Sequence, residues 1–329
     1  MNGKRLAMSA AVLAALAAVP LVVTQSYLLH LVILILFYVA LTAAWNILTF
    51  SGKVSFGHAA FFGLGAYTST ILLLKADVNP WVGLLAAIGV SLVGAGTMTV
   101  PLLRLRGPMF TMATIAYAEV LRRVAILWRD LTAGSEGLTI PFRPGWLYLS
   151  FTSKAAYYYI FLAIAAGAVF LSWWLFHSAT GFHLRAAASD EEAAQALGID
   201  TNRVQVVALM WSAGITGALG VFYTQYVYMI DPDLVFSVTL FAIQPALNGI
   251  IGGLGTVWGP VLGAVLMTPL GEFLRSYLGG VRQGLNFFIY GVTLIVVVIV
   301  LPGGIISALK AIRHRLKPAG SPLPVREDA

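Results

Sequence analysis

The side chains that could carry chemistry are few in this sequence and lie far apart. Its five histidines, His30, His58, His177, His183 and His314, show no spacing typical of a metal site, and the chain has no cysteine. No Gly-x-x-x-x-Gly-Lys phosphate loop is present, which excludes ATP binding of that kind. No Ser/His/Asp set or carboxylate pair falls near a predicted cleft. We therefore expect no enzyme activity, and neither a metal nor a cofactor bound by this chain.

One charged cluster interrupts an otherwise apolar segment. Glu119, Arg122 and Arg123 stand at i, i+3 and i+4, a spacing that lets Glu119 pair with both arginines along one helix. Charges at this depth in a membrane are costly and tend to face protein or water. We interpret the cluster as a structural intramembrane ion pair near the outer end of a span. Proton coupling is the alternative, and it usually needs more than one buried carboxylate.

A polar segment, residues 185–200, separates two strongly apolar stretches and carries its own helix signals. Ser189 followed by Glu192 reads as a capping box, which predicts a helix beginning at Asp190 with an acidic first turn. Gly198 stands where a left-handed C-terminal cap is expected, and Asp200 can cap the next helix. The segment reads either as an ordinary surface helix or as a compact helix that docks in a groove of a cytoplasmic partner.

Composition defines the surroundings of these residues. The chain has 329 residues, of which 59% are hydrophobic and 10% charged, and its mean hydropathy is +0.88. A soluble domain of this size would have far more polar surface, so the sequence predicts an all-α integral membrane protein with one membrane domain over residues 1–329.

About ten transmembrane helices are predicted, some of them short or broken. Residues 6–24 could instead be a cleaved signal peptide. Residues 237–251 and 256–271 are short, and Gly252, Gly253 and Gly255 separate them, so they form either two thin spans or a broken, re-entrant pair. The predicted spans are 6–24, 27–50, 54–74, 81–103, 109–128, 156–176, 204–229, 237–251, 256–271 and 284–301.

The positive charge predicts the orientation of these spans. Twelve of the twenty Lys and Arg residues fall on the side that holds both termini, and six fall on the opposite side. Because cytoplasmic loops are enriched in Lys and Arg, both termini, the loop 177–203 and the tail 302–329 are expected in the cytoplasm. The charge is spread over loops and forms no basic patch, which argues against nucleic-acid binding.

Small and polar residues mark the predicted interior. Gly255, Gly259 and Gly263 recur every four residues, a pattern typical of close helix packing, although broken helices could also line a path. Asn46, Gln225, Gln244 and Asn248 are candidates for interhelical hydrogen bonds or for lining a pore.

Four stretches in order resemble a known family. Residues 191–200, EEAAQALGID, resemble the "EAA" coupling loop of ABC importer permeases. The others are FSGKVSFGHAAFFGLGAY at 50–67, LRLRGPMFTMATIAYAEVLR at 103–122 with LTAGSEGL at 131–138, and GIIGGLGTVWGPVLG at 249–263. Together they resemble the high-affinity branched-chain amino acid permease of the M type, over most of residues 27–303.

This resemblance implies a subunit of an importer in the bacterial inner membrane. Its partners would be a homologous permease subunit in a heterodimer, two cytoplasmic ATPases that bind ATP and Mg, and an external substrate-binding protein. The family commonly has a second arginine where Ala188 stands. The implied ATPase-coupling residues are Arg185, Ser189, Asp190, Glu191, Glu192, Ala193, Ala194, Leu197, Gly198 and Asp200. The candidate translocation core is Asn46, Ser55, Gly57, His58, Gly63, Gln244, Asn248, Gly252, Gly253, Gly255 and Gly259.

The substrate and the class of transporter each have an alternative. Importers of urea, short amides or aromatic acids share the scaffold. A stand-alone secondary transporter is the rival class, and it should show several buried ionisable residues along a path.

Overall fold

The structure is a computed structural model that describes residues 15–23, 25–102, 105, 107–278, 291–292, 299 and 304–308. Ten helices of six residues or more carry labels here, and the shorter ones are named by their bounds. The labelled helices are α1 Ser26–Thr49, α2 His58–Ala76, α3 Pro80–Leu102, α4 Pro108–Leu127, α5 Lys154–His177, α6 Ala179–Ser189, α7 Glu191–Ala196, α8 Thr201–Val227, α9 Gln244–Gly252 and α10 Gly259–Leu278.

Helix α1 is the central element of the described chain. It is apolar on all sides, and every residue from Leu36 to Thr49 is buried. Helices with no polar face belong in an interior or in lipid, so this composition explains why the other helices surround it. Helices α5, α8, α9 and α10 all pack against α1, while α2 and α3 pack on α8.

Loop contacts define two ends of the molecule. At the α6–α7 end, Ala188 lies beside Gly52, Lys53 Nζ donates to the carbonyl of Leu105 at 3.5 Å, and Gly304 lies against Gly253. This end therefore holds the α1–α2 connection, the α6–α7 segment, the α9–α10 connection and residues 304–308.

The opposite end carries a short antiparallel pairing of β1, Leu138–Thr139, with β2, Met229–Ile230, and we call it the β1–β2 end. Here Lys154 Nζ donates to the carbonyl of Ser26 at 3.2 Å, and Arg143 pairs with Asp77 at 2.5 Å. The sheet is a small departure from the predicted all-α fold. Its cause is that extended loop segments between helices still need partners for their backbone groups.

Among the described residues, six helical segments are long and apolar enough to span a membrane: Ser26–Thr49, His58–Ala76, Pro80–Thr99, Lys154–His177, Thr201–Val227 and Pro232–Gly252. Helix α4 has 20 residues but carries Glu119, Arg122 and Arg123, which takes it outside that apolar group. The predicted spans 6–24 and 284–301 lie largely outside the described residues. A count of ten therefore stays a prediction.

Two predicted segments need revision. The segment predicted at 256–271 is a longer helix, Gly259–Leu278, which contains Pro269. The loop 177–203 is not a single helix between spans, because α6 precedes α7. The apolar face of α6 explains this helix, since Gly181, Leu184 and Ala187 are buried at helical spacing.

Helices α2, α3 and α8 meet at glycines with no room for a side chain. A Cβ on Gly65 of α2 would lie 2.1 Å from the carbonyl oxygen of Gly217 on α8, and one on Gly217 would lie 2.1 Å from Ser91 Oγ on α3. A Cβ on Gly220 would lie 2.4 Å from the carbonyl oxygen of Phe62. These backbones are in direct contact, as expected where small residues line helix interfaces in membranes.

Replacing Gly65 with Ala should therefore separate α2 from α8 and destabilise the fold by about 1–3 kcal/mol, the usual cost of overpacking. Gly167→Ala on α5 is the matched control, because no atom lies within 4 Å of a Cβ at that helical glycine. The measurement is the thermal unfolding midpoint of each purified variant in detergent. Equal midpoints for the two variants would contradict the close contact.

Candidate functional site

Two adjacent side chains of α1 hold the two breaks in the helical structure. The first break, residues 50–57, joins α1 to α2, and the second break, residues 253–258, joins α9 to α10. Trp45 Nε1 donates to the carbonyl of Ser55 in the first break at 2.7 Å. Asn46 Nδ2 donates to the carbonyl of Thr256 in the second break at 2.8 Å. The Trp45–Asn46 pair thus binds both breaks to the same turn of one buried helix.

Asn46 also accepts with its side-chain oxygen. Its Oδ1 receives the backbone N–H of Gly255 at 3.2 Å and the hydroxyl of Thr49 at 2.7 Å. The nitrogen and the oxygen of the Asn46 amide are therefore both hydrogen-bonded, and Asn46 is wholly buried. Buried polar side chains are costly unless they are paired in this way, so Asn46 and the second break depend on each other.

His58 joins three helices at the start of α2. Its Nε2 lies 2.6 Å from Ser212 Oγ on α8, and Ser212 donates its hydroxyl proton to the carbonyl of Ala44 on α1 at 2.7 Å. Next to it, the N–H of Phe56 donates to Thr114 Oγ1 of α4 at 2.9 Å, and a Cβ on Gly57 would be 3.2 Å from Met98.

The second break allows α9 and α10 to approach each other closely. A Cβ on Gly252 would lie 1.8 Å from the carbonyl oxygen of Gly259, and one on Gly263 would lie 1.7 Å from that of Asn248. Gly253 and Gly255 have φ of 124° and 66°, values that favour glycine. Asn248 Nδ2 makes a long contact of 3.4 Å with Thr42 Oγ1. These residues pack against one another rather than around an open channel.

Most of the predicted translocation core is thus brought together around the second half of α1. Asn46, Ser55, Gly57, His58, Asn248, Gly252, Gly253, Gly255 and Gly259 all lie there. Gly63 and Gln244 do not. Gly63 faces the ring of Phe236, and Gln244 lines a cavity of about 400 Å³ that also touches α8 and α10.

Other residues complete this region, and their roles were not foreseen. Trp45, Thr256 and Ser212 each take part in a hydrogen bond that joins these elements, yet nothing in the local sequence sets them apart. The predicted bonding residue Gln225 is buried in α8 and its carbonyl accepts from Tyr157 Oη at 3.0 Å. Its side-chain amide bonds to none of the described residues.

The charged cluster on α4 is larger than predicted. Arg122 pairs with Glu119 at 2.5 Å, Arg123 Nε lies 2.9 Å from Glu119, and Arg122 also pairs with Asp233. This last contact ties α4 to the short helix Pro232–Val235 at the β1–β2 end. The Glu119 and Arg123 side chains are 41% and 66% exposed in this chain, whereas Arg122 is 19% exposed, so the cluster lies at the outside of the helix packing.

The helix that begins at Pro232 could have been found from the sequence, although its contact with Arg122 could not. Asp231-Pro232-Asp233 is a strong helix start, with a capping side chain, proline in the first turn and an acid beside it. Asp231 Oδ1 does accept the N–H of Leu234 at 2.9 Å. An acidic first turn on a neighbouring helix is a natural partner for Arg122.

The predicted capping box at Ser189 is wrong. Asp190 caps α7, its Oδ1 accepting the N–H groups of Glu192 and Ala193 at 3.0 Å each, while Ser189 is the last residue of α6 and donates to the carbonyl of Arg185 at 3.1 Å. The reason is that the chain is extended at Asp190, with φ −158° and ψ 110°, and this geometry presents the Asp190 side chain to the orphan N–H groups.

The predicted end of α7 is confirmed. Gly198 has φ 85°, its N–H donates to Gln195, and the N–H of Ile199 donates to Ala194 at 3.1 Å, which is the Schellman pattern. Asp200 Oδ1 accepts the N–H of Arg203 at 3.0 Å and so caps α8, also as predicted.

The α6–α7 segment contacts the long helices α5 and α8 on one side and is exposed on the other. Arg185 lies 4.1 Å above the ring of Phe176 and donates to its carbonyl, which holds α6 against α5. Glu191 accepts from Gln205 Nε2 of α8 at 3.2 Å. Leu197, by contrast, is 84% exposed although it is apolar. The segment therefore presents an apolar tip from a rigid base.

The chain is similar to known proteins over the region that holds this arrangement. The family model for the permease component of branched-chain amino acid transport systems matches residues 27–298, a range that contains the α6–α7 segment and both breaks. The chain belongs to this family. The permease is accordingly a multi-pass membrane protein, as the six apolar helical segments also indicate.

The curated relatives are also permease proteins, and their sequence identity to this chain is low. The permease is 23% identical over 274 residues to the high-affinity branched-chain amino acid transport system permease protein LivM of Escherichia coli (strain K12), covering 74% of this chain and 63% of that protein. It is 25% identical over 278 residues to LivH of Salmonella typhimurium, covering 78% and 86%. The autoinducer 2 import system permease protein LsrC of Salmonella choleraesuis is 26% identical over 230 residues, covering 66% and 62%.

The permease thus spans less than two thirds of the length of the LivM proteins it matches. No solved structure matches it.

Removing the Asn46 side chain should release the second break. Asn46→Ala leaves the carbonyl of Thr256 and the N–H of Gly255 without these partners, at about 0.5–1.5 kcal/mol for each, because both groups are only partly buried. We expect a lower unfolding midpoint and faster hydrogen exchange at residues 253–258, measured by mass spectrometry. Thr99→Ala is the control, because Thr99 Oγ1 donates to the carbonyl of Ala95 within its own helix and makes no other hydrogen bond to the described residues. Unchanged exchange in Asn46→Ala would contradict this role.

Proposed function

We propose that this permease is the membrane subunit of an ATP-driven ABC importer whose substrates are branched-chain amino acids. The observation that carries the proposal is the family match over residues 27–298. The names of the LivM and LivH relatives support the substrate. The translocation path is formed with a second, homologous permease subunit, and an external binding protein delivers leucine, isoleucine or valine.

ATP is bound elsewhere in this proposal. The sequence has no phosphate loop, so two cytoplasmic ATPase subunits hold ATP and Mg and hydrolyse the nucleotide. The α6–α7 segment is the element that docks on one ATPase. Its exposed Leu197 supports this role, because an apolar tip on an otherwise capped, polar helix is suited to a protein groove. The charge bias assigns the α6–α7 end to the cytoplasm of a bacterial inner membrane.

A contiguous set of contacts could carry force from the ATPase to the membrane helices. Ala188 of α6 lies against Gly52 in the first break, whose Ser55 carbonyl is held by Trp45. Asn46, the next residue, holds Thr256 in the second break. Movement of α6–α7 would therefore reach α9 and α10 through one turn of α1. Alternating exposure of the path to the two sides requires such a link between motor and helices.

The second candidate function is the import of a different substrate. LsrC belongs by name to an autoinducer 2 import system, so relatives of this permease serve other molecules as well. Urea, short amides and aromatic acids are further candidates. The stand-alone transporter is less well supported, because the charged cluster on α4 is partly exposed.

Reconstituted transport tests the proposal. The permease should be co-expressed with its partner permease and both ATPases, placed in liposomes and supplied with the binding protein. We expect ATP-dependent uptake of leucine, isoleucine and valine, and none of urea or aromatic acids. Uphill uptake by this chain alone without ATP would overturn the importer, and uptake of urea alone would overturn the substrate.

Gly198 offers a direct test of ATPase docking. Gly198→Val places a β-branched residue at φ 85°, costing about 1–2 kcal/mol locally and disrupting the end of α7, and we expect loss of ATPase co-purification and of uptake with normal membrane insertion. Gly145→Val is the matched control at the opposite end, since Gly145 also has positive φ and no atom within 4 Å of a Cβ. Full substrate-stimulated ATPase activity in Gly198→Val would argue against docking through α7.

A further inference from the structure

A cavity of about 400 Å³ opens in the half of the molecule away from the α6–α7 segment. Helices α1, α8, α9 and α10 form its walls. His30 lies one turn from Ser26, where α1 begins at the β1–β2 end, and it is about 22 Å along α1 from Trp45. The volume falls within the range of sites for small ligands, about 300–1,000 Å³.

A local change of helix type shapes one wall of this cavity. Residues Thr239–Ile243 form a π-helical turn, in which the N–H of Gln244 bonds to the carbonyl of Thr239, five residues earlier. Pro245 explains the change, because it has no N–H for the carbonyl of Phe241, and its ring would clash there in a regular α-helix. Single π turns within helices occur often at functional sites. Thr239, Phe241 and Gln244 all line the cavity.

The lining combines an aromatic part with a polar part. Phe37, Tyr223 and Phe241 pack edge to face or tilted, with ring centroids 5.3–6.1 Å apart. Polar groups accompany these rings: His30 Nδ1 lies 2.5 Å from Tyr226 Oη, and Gln244 and the acidic Glu272 also line the cavity. An apolar pocket with few polar groups and a carboxylate suits a small molecule that has an apolar body and a cationic amino group.

We infer that this cavity is a substrate site within the permease itself, for an α-amino acid with an apolar side chain. The inference rests on the proposed function and narrows it. The apolar side chain packs on Phe37 and Phe241, the ammonium group is attracted by Glu272, and Tyr226 and Gln244 offer hydrogen bonds to the carboxylate. The permease would then select substrate a second time, after the binding protein. Urea, which has no apolar body or charge, would bind poorly.

Direct binding of radiolabelled leucine tests this site. The probe is added to the purified complex of permease, partner permease and ATPases, without the binding protein. We expect saturable binding that Leu247→Trp abolishes by filling the cavity and that Glu272→Gln weakens at least tenfold with little change in shape. Val265→Trp is the control, because Val265 lies on the same helix as Glu272 but is 49% exposed and does not line the cavity. Size-exclusion profiles establish that each variant assembles.

The outcomes separate the inference from the proposed function. ATP-dependent leucine uptake together with no saturable binding, or with binding that neither variant alters, overturns the site and leaves the importer intact. Binding that survives Glu272→Gln unchanged overturns the role of the carboxylate. A phospholipid that co-purifies with the complex, blocks leucine binding and is lost in Leu247→Trp also overturns the inference. Failure of leucine uptake by the whole wild-type system rejects both the function and the site.

Discussion

The breaks in the helices of this permease depend on two neighbouring side chains of α1. Interrupted helices leave backbone N–H and C=O groups without partners, and in a membrane such groups are tolerated where protein satisfies them. Trp45 satisfies the carbonyl of Ser55 in the first break, and Asn46 satisfies Thr256 and Gly255 in the second. Because both donors belong to one turn of the buried central helix, the two breaks are fixed relative to each other.

This constraint connects the two ends of the molecule. The first break touches α6 through Gly52 and Ala188, at the end where the capped α7 presents Leu197. The second break joins α9 to α10, and these helices reach the cavity at the opposite half through Gln244 and Glu272. Glycines allow the intervening helices to touch backbone to backbone, so displacements at one end cannot be absorbed by flexible side chains between them. This geometry is consistent with the proposed function, in which separate ATPase subunits act on the membrane helices.

Local signals were predicted well where one residue decides the backbone. Gly198 takes the left-handed conformation that ends α7, and Asp200 caps α8, because these effects need no information beyond a few neighbours. The capping box failed for a related reason. Ser189 and Asp190 are both good capping residues. Asp190 is the cap because α6, a helix that was not predicted, continues through Ser189.

The sequence by itself determined that the protein is a helical membrane protein, where the polar segment 185–200 lies, and which family it resembles, since composition, spacing and caps are local properties. Only the tertiary structure decided what the interior polar residues do. Asn46 could bond across helices or line a pore, and its partners are 209 and 210 residues away along the chain. No local pattern specifies a partner at that distance. The pairing of Arg122 with Asp233 was likewise decided by the tertiary structure. So was the position of Gln244, which lines the cavity and lies outside the packed core around Asn46.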